Sequence, residues 1–286
     1  RLAVLALNSY RFFTLYGAAA QLGLVLVPIN RRLSREEIEY IIQDTSPRAL
    51  AADEQHRELA ESLGLEHESL RRIIHLDTQQ AGETSYDSLL LEEPPPFVRV
   101  NGEDPYMIIH TAAVEGKPRG GLLSQHNLLL ASLQLVQAFG LTPRDVHLNV
   151  LPLFHIMGIN LALASLMAGG GNVIQPSFEA KQAVQLIEKH RVSLIGTFPP
   201  ILGSILEEID RASADTGPLR YAIGLEQEET IRAWEAKTGS AFWSMYGQTE
   251  TSGLITFCPD FERVGADGGG SRLGDIRITD DCDRVL

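Results

Sequence analysis

Three short stretches carry residue types whose spacing suits chemistry on a nucleotide. The first, TAAVEGKPRGG (Thr111–Gly121), lies between an apolar run ending YMIIH and a helix-like stretch beginning SQHNLLLASL. Glycines expose backbone N–H groups with no side chain in front of them, and such a nest attracts phosphate oxygens. Around Gly116 and Gly120, Lys117 and Arg119 add positive charge, and Thr111 offers a hydroxyl. This is not the GxxxxGK[ST] loop, because the glycine before the spacer is missing and Pro118 follows the lysine. The second stretch, LPLFHIMG, puts His155 after an apolar strand, at the carboxyl end where open α/β sheets bind ligands. The third, FWSMYGQTETSG, gathers Tyr246, Gly247, Gln248, Thr249 and Glu250 behind a strand. Its aromatic ring can stack a base, its hydroxyl can contact a phosphate, and its carboxylate oxygens suit Mg2+. Taken singly, each stretch also reads as ordinary structure: a surface turn, a packed or capping histidine, a solvated glutamate.

Positioning such groups requires a scaffold, and the chain alternates strand-like and helix-like segments throughout. LAVLAL, GLVLVPI, RALAA, RIIHL, YMIIH, HLNVLPL, GNVIQP, SLIGTF, LRYAIG and FWSMYG are separated by stretches of helical period. That alternation predicts an α/β fold with mostly parallel sheets covered on both faces. SREEIEYIIQD reads as a helix with a Ser34–Glu37 capping box and an apolar face of Ile38, Ile41 and Ile42. EAKQAVQLIEKHRV places Ala183, Val184, Ile187 and Val192 near one face. Consecutive prolines in LLLEEPPPFVRVNGEDP exclude helix and sheet together, so residues 1–95 are expected to form a first α/β subdomain. Residues 96–262 then form a second, with the phosphate loop and an acyl pocket, and the glycine-rich 263–286 begin a β subdomain.

Composition narrows the partners. The 286 residues are 44% hydrophobic, enough for a buried core, and carry a formal net charge of −13. With no basic block against that charge, nucleic acid and anionic membrane are disfavoured. Cys258 and Cys282 fit neither a metal site nor a disulfide framework and point to a reducing, cytoplasmic setting. The start of the chain lacks the features of a signal peptide, and the longest apolar candidate, IMGINLALASLMAGG, is interrupted by glycines and reads as a buried helix. A homodimer is compatible with the composition and is not specified by it.

Collinear along the chain, these stretches resemble the adenylate-forming superfamily, and most closely its acyl-CoA synthetases. TAAVEGKPRGGLLSQHNLL takes the place of that family's TSGTTGKPKGV-LSHRNL loop, LPLFHIMGI is similar to PLFHxxG, TFPPIL to the element bordering the acyl pocket, and YGQTETSG to YGxTE. The resemblance implies an acid–thiol ligase working in two steps. A carboxylate attacks the α-phosphorus of Mg·ATP, pyrophosphate leaves, and the acyl group then passes from the adenylate to a thiol, usually coenzyme A. Positioned cations and N–H groups supply most of such catalysis. It further implies that Glu250 holds Mg2+, Thr249 contacts phosphate, Tyr246 with Gly247 and Gln248 borders the adenine, and His155 lines the acyl channel. Thr111, Gly116, Lys117, Arg119 and Gly120 would belong to the phosphate loop. By the same resemblance, a ribose-binding aspartate, a hinge and a C-terminal lid domain with an adenylation lysine are expected after Leu286, and further residues before Arg1. This chain alone is then expected to turn over poorly.

Two departures from the pattern bear on activity. Ala112, Val114 and Glu115 replace hydroxyls and Ala113 replaces a glycine. Losing a hydrogen bond to a charged oxygen costs about 1.5–3 kcal/mol. At roughly 4 Å and an effective dielectric near 20, Glu115 facing phosphate would add about 4 kcal/mol. That slows turnover about a thousandfold; a glutamate directed to solvent, or paired with Lys117 or Arg119, costs far less. The other departure is LRYAIGLEQEETIRAWEAKTG, which has Glu226 where relatives carry a glycine-rich turn against adenine. FHIMGINLALASL and TFPPIL offer apolar pocket walls with no arginine for a second carboxylate, which favours a fatty or other apolar acid. An enzyme loading a carrier protein, and a binding protein that keeps the fold without the chemistry, remain as alternatives.

Overall fold

The structure, a computed structural model, describes the chain except residues 78–82, 91–92, 94, 96–97, 112–116, 259–268, 271–275 and 286. The chain forms two compact units: Arg1–Leu129 with Pro152–Ile159 and Ile174–Ser177, and Leu130–Leu151 with Asn160–Val173 and Phe178–Leu286. The expected α/β class with mostly parallel sheets is found.

In the first unit a six-stranded sheet has the order β4-β3-β1-β2-β5-β6. Its strands are β1 (Leu2–Leu5), β2 (Leu26–Pro28), β3 (Ala49–Ala52), β4 (Arg72–His75), β5 (Pro105–Thr111) and β6 (Arg119–Ser124). The first five are mutually parallel and β6 runs antiparallel to β5. Helices α1 (Tyr10–Leu22), α2 (Arg35–Thr45), α3 (Arg57–Glu66) and the short α4 (Tyr86–Leu89) connect them. The capping box predicted for α2 is present: Glu37 N–H donates to Ser34 Oγ and Ser34 N–H to the Glu37 carboxylate. Ile38, Ile41 and Ile42 are buried with Ala3, Leu5, Val27 and Leu50. Burying each such aliphatic side chain contributes about 1.5–3 kcal/mol.

The second unit holds most of α5 (Gln125–Phe139) and α6 (Ile156–Met167), with α7 (Ala180–His190), α8 (Ile201–Ala212) and α9 (Glu228–Thr238). Its strands are β7 (Val146–Asn149), β8 (Gly171–Ile174), β9 (Leu194–Thr197), β10 (Tyr221–Gly224), β11 (Ala241–Gln248), β12 (Gly253–Cys258) and β13 (Gly269–Gly270). They form a sheet of order β13-β12-β11-β10-β9-β7-β8. Strands β7, β9, β10 and β11 are parallel, and β12 and β13 extend the sheet antiparallel. As the helical period predicts, α7 buries Ala183, Val184 and Ile187, and Val192 follows them into a core with Leu148, Ile195 and Trp234. Phe139 meets Trp243 edge to face at 4.7 Å between ring centroids.

The first unit extends past the proline-rich stretch to Leu129 and so takes in the phosphate-loop stretch expected in the second, and one strand differs from the sequence reading. The phosphate-loop stretch does not lead directly into a helix; β6 intervenes and pairs Thr111 with Arg119 and His110 with Gly120. The loop therefore joins two antiparallel strands. The N-terminus of α5 is capped by its own chain instead, with Ser124 N–H donating to Asn127 Oδ1 at 2.8 Å and Asn127 N–H to Ser124 Oγ at 3.2 Å. Two glycines in RGGLLS hid the strand, since glycine is depleted in strands and reads as loop.

Candidate functional site

Each unit places its own share of the sequence-predicted residues. In the first, the ladder between β5 and β6 brings Thr111, Arg119 and Gly120 to the end of one antiparallel pair, with Lys117 two residues before β6. Thr111 Oγ1 donates toward the Arg119 carbonyl at 3.4 Å. Ala112 to Gly116, including the predicted site residue Gly116, lie outside the described residues. Helix α2 braces the base of this hairpin. The Lys117 ammonium stands 4.8 Å from the centroid of the Tyr40 ring, and His110 Nε2 is 3.0 Å from Asp44 Oδ2. An exposed cation–π contact is worth only about 0.5–1 kcal/mol, so an arriving phosphate dianion can draw the lysine away. Lys117 and Arg119 are both exposed.

His155 occupies the N-cap position of α6. Its carbonyl accepts from Ile159 N–H at 3.1 Å, and its Nδ1 accepts from Met157 N–H at 3.3 Å. That contact assigns the neutral tautomer with the proton on Nε2. Desolvation by the surrounding atoms lowers the imidazole's pKa below its ordinary value, even though part of the residue reaches solvent. The backbone just before it is pinned twice within the same unit. Leu153 N–H donates to Asn8 Oδ1 at 2.8 Å, and the Tyr16 hydroxyl of α1 donates to the Leu153 carbonyl. Both anchors are buried, Asn8 at 5% and Tyr16 at 2% exposure, so the PLFH turn is held by residues far away in sequence.

In the second unit Tyr246, Gly247 and Gln248 end β11, at the carboxyl edge of the parallel strands, and Thr249 and Glu250 open a 3-10 turn, Thr249–Thr251. Tyr246 is 61% exposed, leaving its ring face available. Thr249 is buried while Glu250 is exposed. The ladder shifts register between Tyr246 and Gly247, and β12 then crosses so closely that a Cβ at Gly247 would overlap the Gly253 carbonyl oxygen. Only glycine fits there, a packing reason for the residue beside any contact with a ligand. Thr251 closes the turn: its hydroxyl accepts from Gln248 N–H at 3.2 Å and donates toward the carbonyls of Gln248 at 2.9 Å and Gly253 at 3.0 Å. Asn160 of α6 then fixes the exit, its Nδ2 donating to the Ser252 carbonyl at 2.7 Å. Ser252 is left-handed at φ 65°, a costly conformation for a residue other than glycine that the Asn160 bond helps retain.

Sequence reasoning missed Asn8, Tyr16 and Asn160. The one signal for Asn160 is a polar residue inside the apolar run IMGINLALASLM; Asn8 and Tyr16 carry none, because their partners are set by the fold. Glu226 sits between β10 and α9, and its Oε1 accepts from Gln227 N–H at 3.1 Å.

Comparison with known proteins is consistent with this geometry. The family profile described as AMP-binding enzyme matches residues 1–282. The indoleacetate–CoA ligase of Aromatoleum aromaticum is 27% identical over 98% of this chain and 56% of its own length. The long-chain-fatty-acid–CoA ligase FadD13 of Mycobacterium tuberculosis is 25% identical over 98% of this chain and 56% of its own. The chain thus spans about half the length of the curated relatives it matches. Among solved structures, a Rhodopseudomonas palustris CGA009 protein provisionally named as a long-chain-fatty-acid CoA ligase superposes with a TM-score of 0.91. It is 35% identical and is covered over 72% of its chain by the whole of this one. With a family profile spanning nearly every residue and a fold shared at that level, the chain belongs to the AMP-binding enzyme family.

Proposed function

We propose that this chain is the nucleotide- and acid-binding part of an AMP-forming acyl-CoA synthetase that activates an apolar carboxylic acid. The observation that carries the reading is the Tyr246–Glu250 segment at the carboxyl edge of β11, where an exposed ring, a buried threonine and an exposed carboxylate follow one another. The residues fit Mg·ATP: Glu250 offers hard oxygen for the metal, and the exposed Tyr246 ring offers a face to a purine. Magnesium supplies charge neutralisation on the phosphate oxygens when bound. Within the second unit Tyr246 would stack the base and Thr249 orient a phosphate; within the first, the exposed Lys117 and Arg119 offer cations suited to phosphate. His155, neutral and donating from Nε2, orients the acid's carboxylate without competing for its proton.

The apolar substrate class rests on the apolar sequence of α6, IMGINLALASLM, and on relatives named for indoleacetate and long-chain fatty acids. Incubation of the protein that carries this chain with ATP, Mg2+, coenzyme A and a panel of acids should yield thioesters of aliphatic or aryl acids and none of dicarboxylic acids. Thioesters of dicarboxylic or amino acids alone would contradict the substrate class. The altered run Ala112–Glu115 favours a second reading, a binding protein of the same fold without chemistry. ATP binding with no product from any acid would select it.

A further inference from the structure

At the opposite edge of the second unit's sheet, the amino ends of β7, β9 and β10 surround a cavity of about 480 Å³. Its polar lining is Thr142, Arg144, Asp145, Arg191, Ser193 and Arg220. In a chain of net charge −13 this lining holds two more positive than negative side chains. The one carboxylate is already saturated. Asp145 Oδ1 accepts from Arg220 Nη1 at 2.6 Å and Ser193 Oγ at 2.8 Å, and its Oδ2 from Thr142 N–H at 2.8 Å and Thr142 Oγ1 at 3.0 Å. Burial pushes the Asp145 carboxyl up, but those donors outweigh it and hold the group ionised and paired. Arg220 is fixed in turn, stacked 4.8 Å from the Tyr221 ring centroid.

The remaining cations have no such partner in place. Arg144 makes no ion pair among the described residues, and Arg191 meets Asp215 only at 3.7 Å, with both side chains more than 60% exposed. An ion pair so open to water is worth little. We propose that this cavity is a binding site for a phosphate group, with Arg144 and Arg191 as the anion's ligands and the Arg220–Asp145 pair as its rigid floor. Guanidinium forks match phosphate oxygens in geometry and charge. The cavity exceeds the volume of a phosphate alone, and its apolar wall of Val146 and Pro218 suits a small organic body carrying the group. The site is separate from the carboxyl-edge segment, so it does not depend on the proposed synthetase activity.

The test is equilibrium dialysis of radiolabelled inorganic phosphate at low ionic strength. It compares the unaltered chain, the double variant Arg144→Gln with Arg191→Gln, and Lys117→Ala. Both arginines are exposed, so the double variant should keep its fold, checked by circular dichroism. The expected result is saturable binding that weakens about tenfold in the double variant, persists in Lys117→Ala, and declines as salt is added. A parallel arm uses phosphatidylcholine vesicles with and without phosphatidic acid. Arginine-dependent binding to the acidic vesicles alone would place the phosphate on a lipid. Absence of binding to either probe, or binding that survives the double variant and is lost in Lys117→Ala, would overturn the proposal.

Discussion

Tyr246 and Glu115 are the residues whose replacement separates binding from chemistry. In the proposed function the exposed Tyr246 ring stacks the adenine, and stacking of a base on an aromatic ring is worth about 1–3 kcal/mol. Tyr246→Ala should therefore raise KM for ATP roughly tenfold with kcat little changed, and Tyr246→Phe should restore it; a fall in kcat at constant KM would assign the ring another task. Where the Glu115 carboxylate faces phosphate, the charge argument makes Glu115→Thr an activating change, seen as tighter ATP or faster turnover. Unchanged affinity and rate would show that the carboxylate is directed away from phosphate. Residue types with a chemical signature, such as the glutamate, histidine and tyrosine, were legible in the sequence. Asn8, Tyr16 and Asn160 were not, because a neutral hydrogen-bonding side chain acquires its role only from a carbonyl or N–H that the fold delivers.

At the scale of elements, the alternation of apolar runs located the strands from β1 to β5 and from β7 to β11, and the capping signals located α2. The concealed strand was β6, whose glycines carry no side chain to show a period of two. The close crossing of β12 over β11 was equally invisible, although it dictates Gly247. Gly247→Ala should destabilise the protein by about 2 kcal/mol or more, since backbone must move, read as a lowered Tm. His147 of β7 provides a pH probe of the second unit. Desolvation lowers its pKa to about 4, partly opposed by its hydrogen bond with Asn172 Oδ1 at 3.0 Å. The unfolded chain, with an ordinary pKa near 6.5, binds the proton first. Stability is then unaffected above about pH 6.5 and is lost as pH falls towards 4, by on the order of 3 kcal/mol. His147→Gln should flatten that part of the profile in denaturant titrations; an unchanged slope would show that the imidazole charges within the fold.

For the molecule as a whole, an α/β fold built on mostly parallel sheets follows from the alternation along the chain, whereas the first unit runs to Leu129, past the proline-rich stretch before residue 96. The linear reading holds no sign of the short returns to the first unit at Pro152–Ile159 and Ile174–Ser177, because unit membership is decided by long-range packing. Among the described residues no helix is long and apolar enough to cross a membrane. The chain belongs to the AMP-binding enzyme family. The proposed function requires that the protein adenylate an apolar acid with Glu250 holding the metal. Acid-dependent exchange of labelled pyrophosphate into ATP measures that step alone. Exchange is expected with an aliphatic or aryl acid and is expected to be abolished by Glu250→Ala; exchange that survives the substitution, or a protein that binds ATP yet shows exchange with no acid, rules the proposed function out.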